Sequence, residues 1–312
     1  MATLVEAGEC RILVDPGATL VENRYNMPPS REEHQALEAA KSSIIGALCQ
    51  ADAVVVTHYH DDHMNLLPYV LSSTAIYLKR PVTPAEHRIA GELFPRLQHT
   101  GRSFTLADNT SVGLRDVSLS FSAPLSHGKS GAKLGSVMAT AIRSREGCFV
   151  HASDVQGPMS ANALAWLLQQ RPDYLYLSGA PTYKLYTQAP QAADTFTVQD
   201  LRTAKANLLT LMKYSGCEVI LDHYATRDRN FRRQYSDVLA RGNVYTAAEF
   251  LGVPERPLEA RRQDGNTAEL DTLIPRNPEA IAVGSGHTTK VMDFAETFIN
   301  EREAALAGTP AR

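Results

Sequence analysis

Asp52-Ala-Val-Val-Val-Thr-His58-Tyr-His60-Asp-Asp62-His63 decides the reading of this chain. An apolar, β-branched run passes directly into three histidines and two aspartates within six residues. The run Ala53–Val56 reads as a strand. His58 and His60 alternate, so on an extended backbone they face the same side. A tightening of the chain just beyond the strand can bring Asp62 and His63 round to an adjacent point. One ion can then take His58 and His60, and a second can take Asp62 and His63. Neutral imidazoles and a carboxylate suit Zn²⁺, Fe or Mn²⁺ better than Ca²⁺ or Mg²⁺. A single core histidine is usually just hydrogen-bonded, but this crowd of histidines and carboxylates would be costly to bury without a cation.

Outward from this segment, extended and helical runs alternate, as in an α/β (or α+β) protein. Arg11–Val14, Ala75–Leu78, Ser118–Ser122, Val137–Ile142, Cys148–His151, Tyr174–Leu177 and Glu218–Leu221 read as further strands. Several are apolar throughout, as in strands covered on both faces. Ser30 stands three residues before Glu33, a capping-box pattern, and Leu37, Ala40, Ile44, Ile45 and Leu48 follow at helical spacing. Asn162–Arg171, Gln199–Tyr214 and Phe231–Ala240 are further helices, the second with Leu201, Ala204, Leu208, Leu211 and Met212 as its buried stripe. The compositional break at Arg261–Asn277 divides the chain into a main domain to residue 262, a polar linker over 263–287 and a C-terminal amphipathic helix and tail over 288–312. Strands in both halves with helices between them fit a two-sheet sandwich covered by helices, and a doubly wound sheet equally well.

The bulk numbers narrow the class. Of 312 residues 44% are hydrophobic and 21% charged, as in an ordinary globular protein, and a net charge of −3 gives no basic sheath for nucleic acid. Cys10, Cys49, Cys148 and Cys217 are scattered without a CxxC pair, which indicates free thiols rather than a disulfide framework or a cysteine zinc site. The first residues carry no cationic region followed by an apolar core, and no run approaches the roughly 18 apolar residues of a membrane span. A cytoplasmic location without membrane partners is expected by elimination.

The pattern His-x-His-x-Asp-His after an apolar strand resembles the signature of the metallo-β-lactamase superfamily. That superfamily adds a lone His, a bridging Asp and a last His, each at a strand end. Leu125-Ser-His127-Gly, His151-Ala-Ser-Asp154-Val-Gln-Gly and Leu221-Asp-His223-Tyr match these in order. The early Asp15-Pro-Gly resembles the superfamily's first motif, whose aspartate braces the ligand loop. Thr57-His-Tyr-His60, His151-Ala-Ser-Asp-Val-Gln-Gly-Pro158, Pro181-Thr-Tyr183 and Thr246-Ala-Ala-Glu-Phe250 resemble more narrowly an uncharacterised, mostly archaeal branch. The chain departs from that branch at Asp61, Tyr224 and Lys184. Relatives carry a stretch ahead of this segment, so the first strand is expected to be shortened or supplied by another element.

The resemblance implies a four-layer αββα sandwich over residues 1–262 and a centre of two divalent ions, Zn²⁺ first and Fe or Mn²⁺ as alternatives. His58, His60 and His127 hold one ion, Asp62, His63 and His223 the other, and Asp154 bridges. Asp62 is the catalytic candidate, as a ligand of the pair that holds the attacking hydroxide. The implied reaction is hydrolysis at a carbonyl or phosphoryl centre of a small, anionic substrate. An RNA or DNA phosphodiesterase of the same fold is less favoured, because no added domain or basic arm is present. A diiron oxidoreductase is disfavoured by His60, where such relatives carry Glu, and a non-catalytic scaffold by the complete ligand set.

Around the ligands, His151 and Asp222 are candidate outer partners that orient them. Tyr183, in a turn-rich loop, and Arg227, shortly after the last ligand, are the candidate substrate contacts. Arg229, Arg232 and Arg233 read as a solvated helix start, and His34, His87, His99 and His287 as structural or surface residues. The sequence does not name the substrate or the oligomeric state.

Overall fold

Period-two burial along the apolar strands builds two sheets and three cores in the computed structural model, which describes residues 1–131, 134–187 and 195–264. The first sheet runs β1 (Thr3–Ala7), β2 (Cys10–Val14), β3 (Ala53–Val56), β4 (Ala75–Leu78) and β5 (Thr105–Leu106), in that order. β1 and β2 are antiparallel and the remainder parallel. Successive side chains point to opposite faces. Ile12, Val14, Ala53 and Val55 therefore enter the core between the sheets, while Leu13, Val54 and Val56 face outward.

The outward face is covered by α1 (Arg31–Leu48) and by α3 (Pro84–His99), the short α2 (Asp61–Met64) lying between them in the chain. The expected capping box starts α1: Glu33 N donates to Ser30 Oγ at 3.1 Å and Ser30 N to Glu33 Oε2 at 2.9 Å. α3 is legible only in retrospect. Its Pro84 and interior Pro95 look like breakers, yet Ala90, Leu93 and Leu97 bury against the sheet and outweigh them.

The second sheet is built from β6 (Ser111–Leu114), β7 (Val117–Phe121), β10 (Thr140–Ser144), β11 (Gly147–His151), β12 (Tyr174–Leu177), β13 (Glu218–Leu221) and β14 (Val244–Tyr245). Its order is β14-β13-β12-β11-β10-β7-β6, with β8 (Leu125–Ser126) and β9 (Ser136–Val137) as a separate ribbon. Val150, Leu175, Leu177, Val219 and Leu221 face α4 (Ala161–Gln170) and α6 (Val198–Ser215), which contribute Ala163, Leu167, Leu201, Ala204, Leu208 and Leu211. Leu119, Phe121 and Ile142 close the inner core against Ile12, Val14 and Val55. The layers are helix, sheet, sheet, helix: the expected αββα sandwich.

Some elements differ from the sequence reading. Thr3–Ala7 forms a strand that pairs with β2 over its whole length. Val137–Ile142 is not one strand. Met138 N leaves the ribbon to donate to Thr57 O at 2.9 Å, and the chain joins the second sheet only from Thr140. Phe231–Ala240 is two turns, α7 (Phe231–Gln234) and α8 (Ser236–Leu239), following the single turn α5 (Lys184–Thr187) earlier in the chain. They part at Tyr235, whose hydroxyl accepts from Ala180 N at 2.7 Å. After α9 (Ala247–Leu251) a 3-10 turn, Glu259–Asp264, carries the fold past residue 262. The rest of the expected linker and the expected helix over 288–312 lie outside the described residues.

No helix among the described residues is long and apolar enough to cross a membrane. Leu119 is fully buried between the sheets. Leu119→Ala should cost about 2–5 kcal/mol by lost transfer energy and cavity formation, read as a lowered urea midpoint with unchanged slope. A loss below about 1 kcal/mol would show that this inner layer is not tightly packed.

Candidate metal centre

The ends of β3, β8, β11 and β13 converge on one edge of the sandwich, and each delivers part of a polar cluster. His58 and His60 follow β3, and α2 then turns Asp62 and His63 back toward them. The turn is tight against the loop after β2. A Cβ on Gly17 would stand 2.5 Å from Met64 N, so glycine is required there. Tyr59, between the two histidines, is buried and its hydroxyl donates to Lys79 O, which pins the segment to the end of β4. His127 follows β8, Asp154 lies in a 3-10 turn after β11, and His223 follows β13 with φ +55.

The sequence-derived ligand candidates fall into two sets. Ligand-type atoms of His58, His60, His127 and Asp154 lie within 4.8 Å of one another, and so do those of Asp62, His63 and His223. Asp154 reaches toward both. Its Oδ2 is 3.1 Å from His127 Nε2, 3.6 Å from His58 Nε2 and 3.5 Å from His63 Nε2, and its Oδ1 is 3.9 Å from His223 Nε2. Asp62 Oδ2 is 3.8 Å from both His63 Nε2 and His223 Nε2. Such spacings match the roughly 3–4 Å between two atoms that each sit about 2.1 Å from a shared ion.

The fit to a metal is carried by unsatisfied atoms. His63 Nε2, His127 Nε2, His223 Nε2 and both Asp154 oxygens are buried without a hydrogen-bond partner. Outer partners orient three of the rings, those of His58, His63 and His127. Asp15 Oδ2 lies 2.8 Å from His63 Nδ1, which therefore carries a proton and leaves Nε2 as the nitrogen that faces the cluster. Thr57 Oγ1 donates to Asp15 at 2.8 Å and so accepts from His58 Nδ1 at 3.0 Å, leaving His58 Nε2 to face the cluster, 3.0 Å from His60 Nδ1. Gln156 Nε2 lies 3.3 Å from His127 Nδ1 and holds that ring from outside the cluster. Gly128, at φ +85, makes room for that amide: a Cβ would stand 2.5 Å from Gln156 Oε1.

Electrostatics follow the same geometry. Burial pushes Asp15 and Asp154 upward, but His63 beside both, with His223 beside Asp154, holds each carboxyl below its ordinary range. Burial and then the neighbouring His63 depress His58, while burial and Arg227 depress His223. Burial also opposes charge on His63, but Asp15 and then Asp154 overcome it and raise this ring to about 10. Without ions His63 thus keeps a proton that a ligand must give up.

The remaining sequence candidates divide. Arg227 stands beside the cluster, its Nη2 3.9 Å from Asp62 Oδ2 and its Nε 3.5 Å from Glu259 Oε2. Tyr183 is buried, its ring covered by the Arg24 guanidinium at 4.3 Å. Asp222 supports a ligand through backbone rather than ring: its Oδ1 accepts from His223 N at 2.7 Å and from Thr226 Oγ1 at 2.8 Å, steadying the left-handed turn. His151 makes no hydrogen bond to a candidate ligand. It is buried and stacked on Tyr176 at 4.5 Å, because its strand position aims it into the space between the sheets. Thr57 and Gln156 took the role expected of it. Thr57 abuts the motif, but nothing local marks its hydroxyl as the link to Asp15. Arg232 pairs with Glu249 and Glu255, and His34, His87 and His99 are exposed away from the centre. The four cysteines are unpaired.

Comparison with known proteins agrees with this construction. The family model described as Metallo-beta-lactamase superfamily matches residues 1–125. The chain is 38% identical over 281 residues to the UPF0282 protein MK0213 of Methanopyrus kandleri, covering 85% of this chain and 93% of that protein. It is 29% identical over 282 residues to the UPF0282 protein TK1681 of Thermococcus kodakarensis, covering 85% and 90%. Among solved structures, the isothiocyanate hydrolase from Delia radicum gut bacteria superposes with a TM-score of 0.49 at 13% identity, over 78% of this chain and 92% of that one. The sandwich and its His/Asp cluster thus define a member of the metallo-β-lactamase superfamily, whose proteins are generally metal-dependent hydrolases. Within it, the chain belongs to the UPF0282 family found in archaea such as Methanopyrus, Thermococcus and Pyrococcus.

Two outcomes are expected. Because His63 sits near 10, metal binding at pH 7 should release about one proton, and affinity should rise with pH toward that value. Calorimetry in buffers of different ionisation enthalpy measures this, and no buffer dependence would mean that the ring is already neutral. Asp15→Asn keeps the shape but loses an acceptor for one of its donors. It should weaken metal affinity by about 10–100-fold, read by competition with a chromophoric chelator.

Proposed function

We propose that this chain is a binuclear metal-dependent hydrolase of small anionic substrates, attacking a carbonyl or phosphoryl centre. The observation that carries this is the convergence of unpartnered histidine nitrogens and Asp154 oxygens in a buried cluster. Each such atom costs about 1–3 kcal/mol if left unpartnered, which bound cations would offset. His58, His60 and His127 would hold one ion, Asp62, His63 and His223 the other, and Asp154 would reach both. Two divalent ions supply Lewis acidity and lower the pKa of a bound water from 15.7 towards about 7. Zn²⁺ is the first candidate for this donor set, with Fe or Mn²⁺ behind it.

The chain's own residues do the rest. Asp62 and Asp154 fix the centre from opposite elements, and Asp15, through His63 and Thr57, keeps the ring nitrogens aimed inward. Arg227 would hold a substrate carboxylate or phosphate beside Asp62, and burial does not discharge it, because Glu259 lies alongside. The Tyr183 hydroxyl would steady a substrate oxygen. His60, where redox relatives of this fold carry Glu, supports hydrolysis over oxidation. Unpaired cysteines support a reducing, cytoplasmic setting.

Protein purified without added metal should carry close to two zinc ions per chain by mass spectrometry. It should cleave at least one member of a panel of ester, thioester, lactone and phosphodiester probes. Asp62→Ala or His127→Ala should abolish that turnover while circular dichroism shows the fold retained. Two iron ions with visible absorption and oxygen consumption would overturn the hydrolytic reading, as would full turnover in either variant.

A further inference from the structure

Beside the cluster two arginines share one carboxylate. Arg24 Nη2 lies 2.6 Å and its Nε 2.7 Å from Glu259 Oε1, while Arg227 Nε lies 3.5 Å from Glu259 Oε2. Among the described residues the other carboxylate near Arg227 is Asp62, at 3.9 Å. Under the hydrolytic reading, on which this inference rests, Asp62 is committed to an ion. Two guanidiniums therefore face a single uncommitted carboxylate. Both are preorganised by aromatic rings: Arg24 lies over Tyr183 at 4.3 Å, and Arg227 over Tyr224 at 5.0 Å. The Tyr224 ring stands 4.6 Å from that of His223, so the pair borders the metal set. All three charged groups are partly open to solvent, with side chains 13%, 17% and 21% exposed for Arg24, Arg227 and Glu259.

The backbone that carries Glu259 is anchored without its carboxylate. Arg262 pairs with Glu33 through Nε at 2.9 and 3.0 Å, with both side chains buried, and donates to Val21 O at 2.8 Å and Met27 O at 3.1 Å. Arg256 pairs with Glu32 at 2.7 Å. The turn is thus strapped across the loop that bears Arg24 whether or not Glu259 engages it. The Glu259 carboxylate keeps a path to water on this fixed backbone, and an incoming anion would take its place on the guanidiniums, so neither arginine is left unpaired.

We propose that Arg24 and Arg227 form a subsite for a substrate's distal anionic group, a carboxylate or a phosphate, and that Glu259 is a built-in competitor displaced when substrate binds. The subsite assigns Arg24 and Glu259 to specificity. It restricts the substrate class to molecules with an anion set apart from the bond that is cleaved.

The test is calorimetric titration of the metal-loaded full-length protein with phenyl phosphate and with benzoate. Glu259→Gln removes the competing charge and should tighten one of these probes about tenfold, the equivalent of one charge-assisted hydrogen bond. Arg24→Ala should weaken the same probe about tenfold, and Arg24→Lys should restore only part of the loss, because a lysine lacks the planar fork. Metal content should match wild type in all three. The probe that responds distinguishes phosphate from carboxylate recognition. Unchanged affinity for both probes in Glu259→Gln and Arg24→Ala overturns the proposal, and so does weaker binding in Glu259→Gln. If the shifts appear but no substrate panel is hydrolysed, the hydrolytic reading falls and the anion subsite stands. If hydrolysis is found and no affinity moves, the subsite falls alone.

Discussion

A single buried carboxylate ties the centre to the fold. Asp15 accepts from Thr57 N and Thr57 Oγ1 at 2.8 Å, from His63 Nδ1 at 2.8 Å and from Ser153 Oγ at 3.1 Å. These donors come from the ends of β3 and β11, one from each sheet, and from α2. The carboxylate therefore joins the two halves of the sandwich at the edge where the ligands converge. Charge-assisted hydrogen bonds of this kind are about twice as strong as neutral ones, and burial keeps water from competing for them. Asp15 adopts φ +55, a strained conformation for a residue with a side chain, and the neighbouring Gly17 lets the α2 backbone close on it. Strain in the backbone is the counterpart of precision in the cluster.

The layers explain why the cluster can exist at that edge. Parallel strands point their ends the same way, and both sheets bury their opposite faces, so loops alone carry polar side chains toward a common point. The ligand candidates come from separate loops over much of the chain, and none lies inside a strand. The fold supplies rigid supports, and the loops supply chemistry. Beside the ligand loops, the turn Glu259–Asp264 is strapped over the loop following β2 by Arg262, which pairs with Glu33 and donates to Val21 O and Met27 O. That strap brings the charged groups of Arg24, Arg227 and Glu259 to the rim of the centre. A rim with two arginines, beside a cluster that bound cations would make positive, would favour anions, and that links the hydrolytic reading to the subsite proposed beside it.

Much of this architecture was legible in the chain because it is encoded locally. The apolar run Ala53–Val56 and the histidines after it are contiguous, and β4, β12 and β13 begin and end where their apolar runs do. Ser30 and Glu33 mark α1 within one turn. Elements failed to show where local signals conflict with packing. Pro84 and Pro95 obscure α3, and the two-residue strands β5, β8 and β14 are too short to carry a period. Val137–Ile142 looked continuous because nothing in its own residues reports that Met138 bonds to Thr57 across the molecule.

By itself, then, the sequence determined the strands and the order of the ligand motifs, whose resemblance to a known superfamily implied the sandwich, since His58 and His223 follow apolar runs closely and the motifs are contiguous. Tertiary structure alone decided what surrounds them. His151 stands beside the motif in sequence, but its strand register turns it away to stack on Tyr176. Gln156 and Thr57 take the outer places, through contacts that depend on a glycine's open space and a distant carboxylate. Arg24 and Glu259 are 235 residues apart and meet only because the turn Glu259–Asp264 crosses the loop following β2. Local periodicity reports which face a residue occupies within its own element; it carries no information about which distant loop that face will meet.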